Sequence, residues 1–243
     1  MRSLRRMTLI LAVIGTAPVV QAADLPSRKS IPPAPVFAPT PFSWTGFRLG
    51  AHGGYATGHD ITREFVTATW TFIGLQNRFR PDGFYGGLHG GFDYQFGNVV
   101  LGVESDIDIG EIKGGFVDPP AAPFNPGGRG NTKINIQGSG RLRAGYAFDR
   151  LLAYGTGGIA MANIKSTYSN WPGVSESFTR TLTGYTIGGG LEYAVTDRVT
   201  IRSEYRFTEF AKIKNHSQVA FPGFSGTQHP RYHNVSAGVT YKF

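Results

Sequence analysis

The chain lacks cysteine altogether, with none among its 243 residues. This absence excludes thiol catalysis, thiolate metal sites and disulfide frameworks, so stability has to come from packing and strand pairing. Long apolar runs are missing as well. The most apolar stretch, residues 7–20, is shorter than the roughly 20 residues that a transmembrane helix needs. If the chain spans a membrane, it therefore does so with β-strands.

Dense charge and recognisable ligand motifs are also scarce. Charged residues make up 16% of the chain and the formal net charge is +8, without a cluster of Lys and Arg that would track nucleic-acid phosphates. No histidine pair has the HExxH spacing, and the glycines at 188–190 are not followed by the GK[ST] of a phosphate loop. We therefore expect no nucleic-acid partner, no metal site and no cofactor.

The first 43 residues divide into two segments. Arginines and then the apolar run precede the small residues Ala22 and Ala23, which is the layout of a cleavable secretory signal. We predict a signal peptide over residues 1–22, cut between these two alanines. Residues 23–43 are rich in proline and predict an extended periplasmic linker. The remaining residues, 44–243, form the expected domain.

Glycine and aromatic residues are abundant, at 34 glycines and 13% aromatics, and from residue 45 onward apolar and polar residues alternate. Eight segments follow this period of two: residues 45–56, 83–96, 99–110, 132–148, 151–165, 180–195, 199–210 and 231–243. The connections after the second, fourth and sixth are very short. The other connections, residues 57–82, 111–131, 166–179 and 211–230, are long and predict loops.

This pattern predicts an all-β fold, an eight-stranded antiparallel transmembrane β-barrel with an N-terminal signal peptide and a Pro-rich leader. The final segment sets Val239, Tyr241 and Phe243 on one face and Lys242 on the other, and we expect it to pair with residues 45–56 and close the barrel. Short turns face the periplasm in such barrels, so both termini are predicted to be periplasmic. The fifth segment is apolar on both faces, which leaves its inward face unassigned.

The choice between a soluble and a membrane barrel depends on which face carries the charges. Aromatic residues near the short turns favour the membrane barrel, because aromatic girdles lie at both interfaces: Tyr94, Phe96, Tyr146, Phe148, Tyr193 and Tyr241. The charged face then lines the lumen, with Lys242 at its periplasmic rim and a network of ten residues: Arg48, Glu104, Asp106, Asp108, Arg141, Arg143, Glu192, Arg202, Glu204 and Arg206.

Two interpretations of these lumen charges stay open. A barrel of eight strands has an interior just wide enough for side chains to fill, which favours a salt-bridged plug. The alternative is a narrow path for ions or small solutes. Asp106 and Asp108 share a face, but a filled lumen gives a carboxylate pair no substrate pocket, so we do not expect an enzyme.

One histidine is a candidate for a cofactor ligand. His229 is near Phe221, Phe224 and Tyr232 in sequence, and an imidazole beside aromatic rings could hold haemin by axial ligation and stacking. The plainer interpretation is a solvent-exposed histidine in a loop.

Several segments together resemble a known family: ADLPSRK at the predicted mature start, SWTGFRLGAHGGY, GVESDI, GRLRAGYAFDRLLAYGTGG, GYTIGGGLEYAVTDRVTIRSEYRF and the ending GVTYKF. They are similar to the small porin-family β-barrels of alphaproteobacterial outer membranes, the outer-membrane immunogenic proteins. The resemblance covers nearly the whole chain. It implies a structural protein of the Gram-negative cell outer membrane, with relatives that stabilise the envelope, are immunogenic or bind haemin, and it supplies no catalytic residues.

The resemblance also implies partners. An aromatic-ended last strand typically serves as the signal for the barrel-assembly machinery, which assigns that role to Val239, Tyr241 and Phe243. Outer-membrane lipid and lipopolysaccharide would surround the barrel, and host or phage ligands would bind the loops. The function we expect is structural, with surface-exposed loops that contribute to envelope integrity and surface interaction. The alternatives are a small-solute or ion porin and a surface protein that binds haemin or a host ligand.

Overall fold

The computed structural model describes residues 42–119, 127–170 and 173–243. The predicted signal peptide and residues 23–41 of the predicted linker lie outside this range. The described residues form eleven strands: β1 (Gly46–Val66), β2 (Thr71–Phe79), β3 (Asp82–Phe96), β4 (Val99–Val117), β5 (Arg129–Phe148), β6 (Leu151–Ser169), β7 (Ser175–Ala194), β8 (Val199–Phe210), β9 (Ile213–His216), β10 (Phe224–Gln228) and β11 (Arg231–Lys242). Within these ranges, no helix is long and apolar enough to cross a membrane.

Eight of the strands form a closed antiparallel ring in the order β1, β3, β4, β5, β6, β7, β8 and β11. Closure occurs between β11 and β1, where Tyr241 pairs with Leu49 and Val235 pairs with Tyr55. The predicted barrel, and the pairing of its last strand with its first, are therefore confirmed. Because every ring strand has two neighbours, the ring leaves no open sheet edge.

Tight turns join the strands at one end of the barrel. Gly97 and Asp149 adopt left-handed φ angles of 59° and 55° in the turns after β3 and β5, where glycine and aspartate tolerate this conformation. A slightly longer turn, residues 195–198, follows β7. These are the three short connections that the sequence predicts.

The opposite end differs from the prediction, because most of the residues expected in long loops continue as strands. β1 runs on to Val66 and forms a hairpin with β2, while β10 pairs with the other edge of the same β1 extension. β9 completes this layer by pairing with β10. We call β2, residues 60–66 of β1, β10 and β9 the extended sheet. Continued pairing keeps backbone hydrogen bonds satisfied well beyond the length that crosses a membrane.

Side chains alternate between the lumen and the outer face along each strand. The outer face carries a band of exposed apolar residues that includes every aromatic residue predicted near the short turns: Tyr94, Phe96, Tyr146, Phe148, Tyr193 and Tyr241. The open question about the fifth predicted strand is also answered. Leu152, Tyr154 and Ile164 of β6 point into the lumen, whereas Leu151 and Ile159 are exposed on the outside.

Candidate functional site: the filled lumen

The lumen holds the densest charge of the described residues. All ten residues of the predicted network are buried, and each forms at least one ion pair with another charged side chain in the lumen: Arg48, Glu104, Asp106, Asp108, Arg141, Arg143, Glu192, Arg202, Glu204 and Arg206. They reach this position because β1, β4, β5, β7 and β8 present their charged parity inward.

Glu104 lies at the centre of the network. Its Oε2 accepts hydrogen bonds from Arg48 Nη1 at 2.6 Å and from Arg202 Nη1 at 2.8 Å. Its Oε1 accepts another from Arg141 Nη2. These three arginines belong to β1, β8 and β5, so a single carboxylate on β4 connects strands on different sides of the lumen.

The remaining acids are engaged in the same way. Arg206 bridges the two aspartates of β4, with Nη1 2.9 Å from Asp106 Oδ1 and Nη2 2.9 Å from Asp108 Oδ2. Arg141 Nη1 donates to Glu204 Oε1 at 2.6 Å, and Glu204 also pairs with Arg202. Glu192 pairs with Arg143 and accepts a hydrogen bond from Thr200 Oγ1 at 2.5 Å. A carboxylate pair available for acid–base catalysis is therefore not among the described lumen residues.

The structure adds members that the sequence prediction omitted. Asp93 Oδ2 lies 3.1 Å from Arg48 Nε, and His52 Nε2 lies 2.7 Å from Asp108 Oδ1. His89 Nε2 lies 2.9 Å from Thr240 Oγ1. Their inward parity was visible in the sequence, and that signal could have found Asp93.

Lys242, expected at the lumen rim, lies apart from this network. Its Nζ donates to the backbone oxygen of Ser43 and sits 4.6 Å from the ring centre of Phe42. The described network thus contains six carboxylates, five guanidinium groups and the His52 imidazole, rather than five acids and six bases.

Aromatic packing and close glycines complete the filling. The guanidinium of Arg143 lies 3.8 Å from the ring centre of Tyr154, whose hydroxyl donates to Glu204 at 3.1 Å. A Cβ at Gly102 would overlap Asp93 Oδ1 and lie 2.6 Å from the backbone oxygen of Phe92. Glycine at this inward position therefore leaves the room that the Asp93 carboxylate occupies.

Apolar side chains close the lumen on both sides of the charges. Below the network, at the short-turn end, a buried cluster consists of Trp44, Val100, Ala147, Leu152, Tyr154 and Ala194. Trp44 precedes the first strand and donates two hydrogen bonds, from its Nε1 to Asp149 O at 3.0 Å and from its backbone N–H to Gln95 Oε1 at 2.7 Å. We call this cluster the lower apolar layer.

Above the network lies a second and larger apolar cluster, the upper apolar layer: Ala56, Tyr85, Ile112, Ile134, Ala160, Ala162, Ile164, Leu182, Phe210, Ile213 and Tyr232. These residues come from all eight ring strands and from β9, and they lie further toward the extended sheet. The charged groups are therefore enclosed between two apolar layers. A bore of eight strands has the width that side chains can fill.

Two acidic residues of the extended sheet, Asp60 and Glu64, have raised pKa values. Burial raises the pKa of Asp60 to about 6, although the backbone N–H groups of His229 and Ile61 lower it in part. Burial and the nearby Asp118 raise the pKa of Glu64 to about 7. Glu64 lines a cavity of about 30 Å³.

The residues of the haemin hypothesis are not brought together around one space. His229 lies on the outer face of the extended sheet, with Nε2 2.8 Å from Glu209 Oε1. Phe221 and Phe224 line the separate cavity beside Glu64, and Tyr232 is buried in the upper apolar layer. Haemin binding at His229 stays a prediction. Among the described residues, no group of three or more His, Cys, Asp or Glu is placed to hold a metal ion.

Comparisons with known proteins agree with this architecture. The model of the outer membrane protein beta-barrel domain matches residues 33–243. The 31 kDa outer-membrane immunogenic protein of Brucella melitensis is 33% identical, over 97% of this chain and 99% of that protein. The 22 kDa outer membrane protein of Rhizobium leguminosarum is 32% identical, over 69% of this chain and 65% of its own length.

A solved structure supports the fold. The outer membrane protein OprG of Pseudomonas aeruginosa matches with a TM-score of 0.53 at 12% identity, covering 82% of this chain and 96% of that one. The names of these three similar proteins describe outer-membrane proteins and no enzyme. The family-model match and the full-length similarity to the Brucella protein establish that the chain belongs to the outer membrane β-barrel proteins, in the family of the outer-membrane immunogenic proteins.

Proposed function

We propose that this outer-membrane barrel is a structural, non-conducting protein that contributes to envelope integrity and presents the extended sheet as a surface for interaction. The observation that carries this proposal is the ion-paired network enclosed between the lower and upper apolar layers. An ion that crossed the lumen would have to pass both apolar layers and disrupt paired charges between them. Each of these steps opposes conduction.

The proposal includes an orientation. Outer-membrane barrels place short turns in the periplasm and longer segments outside the cell. By this rule the short-turn end, where Trp44 and Phe243 lie, faces the periplasm, and the extended sheet faces outward. The outward part would then meet host or phage ligands, because binding is concentrated on exposed segments held by a rigid scaffold.

Planar-bilayer recording of the purified full-length protein tests non-conduction. We expect no discrete single-channel steps from the wild-type protein, and we expect none from Trp44→Ala, because the network and the upper apolar layer remain. Phe96→Ala, at an exposed outer-face aromatic near the same end, is the matched control. Reproducible steps of constant size from correctly folded wild-type protein would refute the plug and favour the small-solute or ion porin.

Orientation has a separate test. A cysteine introduced at Thr69, in the exposed turn between β1 and β2, should react with an impermeant thiol reagent on intact cells. A cysteine at Asp197, in the turn after β7, should react only after the outer membrane is opened. The chain has no native cysteine, so each label reports one site. The reverse pattern would contradict the proposed orientation.

A further inference from the structure

A cationic groove opens on the outer face of the extended sheet. Its volume is about 290 Å³, and it is lined by His59, Ile61, Arg63, Lys212, Thr227, Gln228, His229 and Arg231. These eight described residues include three permanent cations, two histidines and no Asp or Glu. The charge network of the lumen does not involve this groove.

Much of the positive charge in the groove is uncompensated. Glu209 contacts the groove, 3.3 Å from Arg231 Nη2 and 2.8 Å from His229 Nε2. Arg63 is exposed, and its Nε donates to the neutral amide oxygen of Gln76 at 3.0 Å. Lys212 is exposed as well. An anion entering the groove would therefore meet charge that internal ion pairs have not neutralised.

The register of β1 and β11 places the groove relative to the membrane. Tyr55 and Val235 form the last outward apolar pair on these strands, and both are exposed. The outward pair His59 and Arg231 follows four residues later along β1. At about 3.3 Å per residue the offset is about 13 Å along a tilted strand. The groove thus lies outside the apolar band, at the level of polar headgroups.

A row of lysines lies just beyond the apolar band on another side of the barrel. In the strand register, Lys113 of β4 lies opposite Lys133 of β5, which in turn lies opposite Lys165 of β6. Three like charges therefore lie side by side on adjacent strands. Glu111 compensates part of this charge, with Oε1 2.5 Å from Lys133 Nζ and Oε2 3.3 Å from Lys113 Nζ. Directly opposed like charges destabilise a sheet. Anions at this level of the barrel would relieve that repulsion.

We propose that the groove binds the phosphate groups of a glycolipid in the outer leaflet. Arginine presents a planar array of donors that matches phosphate oxygens, and Lys212 adds a point charge. The lipid assignment rests on the orientation proposed above, which places the extended sheet outside the cell. Phosphate recognition itself depends only on the groove.

The test compares lipid affinity between two variants with equal loss of charge. Arg63→Gln combined with Lys212→Gln removes two groove cations and leaves the contacts of Glu209 intact. Arg129→Gln combined with Arg198→Gln removes two exposed arginines outside the groove. Lipopolysaccharide and its enzymatically dephosphorylated form are titrated into detergent-solubilised full-length protein by calorimetry, after heat-modifiable migration has shown that each variant is folded.

We expect the groove variant to bind lipopolysaccharide roughly thirtyfold more weakly, since two surface cations at about 1 kcal/mol each contribute about 2 kcal/mol to attraction by an anionic lipid surface. The control variant should bind like wild type, and dephosphorylation should weaken binding to wild type by a similar factor. An equal loss of lipopolysaccharide affinity in both variants would overturn the proposal. So would equal affinity of the wild-type protein for lipopolysaccharide and its dephosphorylated form. If inorganic phosphate alone binds as tightly as the lipid, the groove is a free-phosphate site and the lipid assignment is wrong. The cell-labelling test separates this failure from a wrong orientation.

Discussion

Glu104 is the residue on which the interior of the barrel depends most. Its carboxylate accepts hydrogen bonds from guanidinium groups on three other strands, at Arg48, Arg141 and Arg202. A charge buried this far from water is tolerable only while its partners are present. Loss of the carboxylate would leave several buried cations with too few counter-charges.

Glu104→Gln should therefore destabilise the barrel by roughly 3–5 kcal/mol, the cost of removing one partner of a buried ion pair. Glu111→Gln is the matched control, because Glu111 forms its ion pairs with Lys113 and Lys133 on the exposed surface. Urea unfolding in detergent, followed by tryptophan fluorescence, measures both. Similar midpoints for the two variants would mean that the lumen charges tolerate an unpaired arginine.

The inward glycines give a second prediction at this scale. Gly102→Ala should destabilise the barrel by about 1–3 kcal/mol, because the added methyl group overlaps Asp93 and the backbone of Phe92. Gly140→Ala on β5 is the control, since nothing lies within 4 Å of a Cβ placed there. The same unfolding assay applies. A Gly102 variant as stable as the Gly140 variant would show that Asp93 moves aside without loss.

At the scale of elements, the barrel strands were predictable and the extended sheet was not. Residues 45–56 alternate clearly between apolar and polar, but β1 continues through residues 57–66, where both faces are polar or mixed. Asp60 and Thr62 point inward while Arg63 points outward, so hydrophobic contrast disappears although the pairing persists. Outside the lipid, strand faces need no difference in polarity, and the period of two loses its signal.

The extended sheet should lose stability as pH rises. Folded Asp60 and Glu64 keep their protons to higher pH than in the unfolded chain, with pKa values of about 6 and about 7 in place of 3.8 and 4.5. Over the window from about pH 4 to about pH 7 the folded state therefore binds more protons, so the free energy of unfolding falls across it.

The measurement is the free energy of unfolding, from urea titrations at about pH 5 and about pH 8. We expect it to decrease by an amount on the order of 1–3 kcal/mol between these two pH values. Asp60→Asn combined with Glu64→Gln should flatten this dependence, whereas the exposed Glu111→Gln should leave it unchanged. A free energy of unfolding that rises with pH in the wild-type protein would contradict the raised pKa values of both carboxyl groups.

For the whole molecule, the sequence predicted which residues face the lumen but not which of them touch. Inward parity identified Glu104 and Arg202, yet their contact joins positions 98 residues apart and depends on the stagger of the closed barrel. The apolar layers were not predicted either, because the alternation of apolar and polar residues does not mark them. Ala160, Ala162 and Ile164 point into the lumen, so β6 is apolar on both faces and resembles neither a lipid-facing nor a polar pattern.

Assembly of the whole barrel gives a last prediction. Phe243 is exposed on the outer face beside Tyr241, and its backbone N–H donates to Phe47 O at 2.9 Å. We expect Phe243→Ala to lower the amount of heat-modifiable barrel in outer-membrane fractions, because the family resemblance assigns the assembly signal to this end. Phe148→Ala, at another exposed aromatic near the short turns, is the control. Equal yields from the two variants would remove the assembly role.

The enclosed charge network also constrains the order in which the barrel can form. Arg48 lies on the first strand and Arg202 near the end of the chain, yet both bond to Glu104. A partly curled sheet would carry these groups unpaired, so it would have to keep its inner surface in water until β11 meets β1. Ring closure and the loss of lumen water should thus coincide, which makes the last step of folding cooperative and slow.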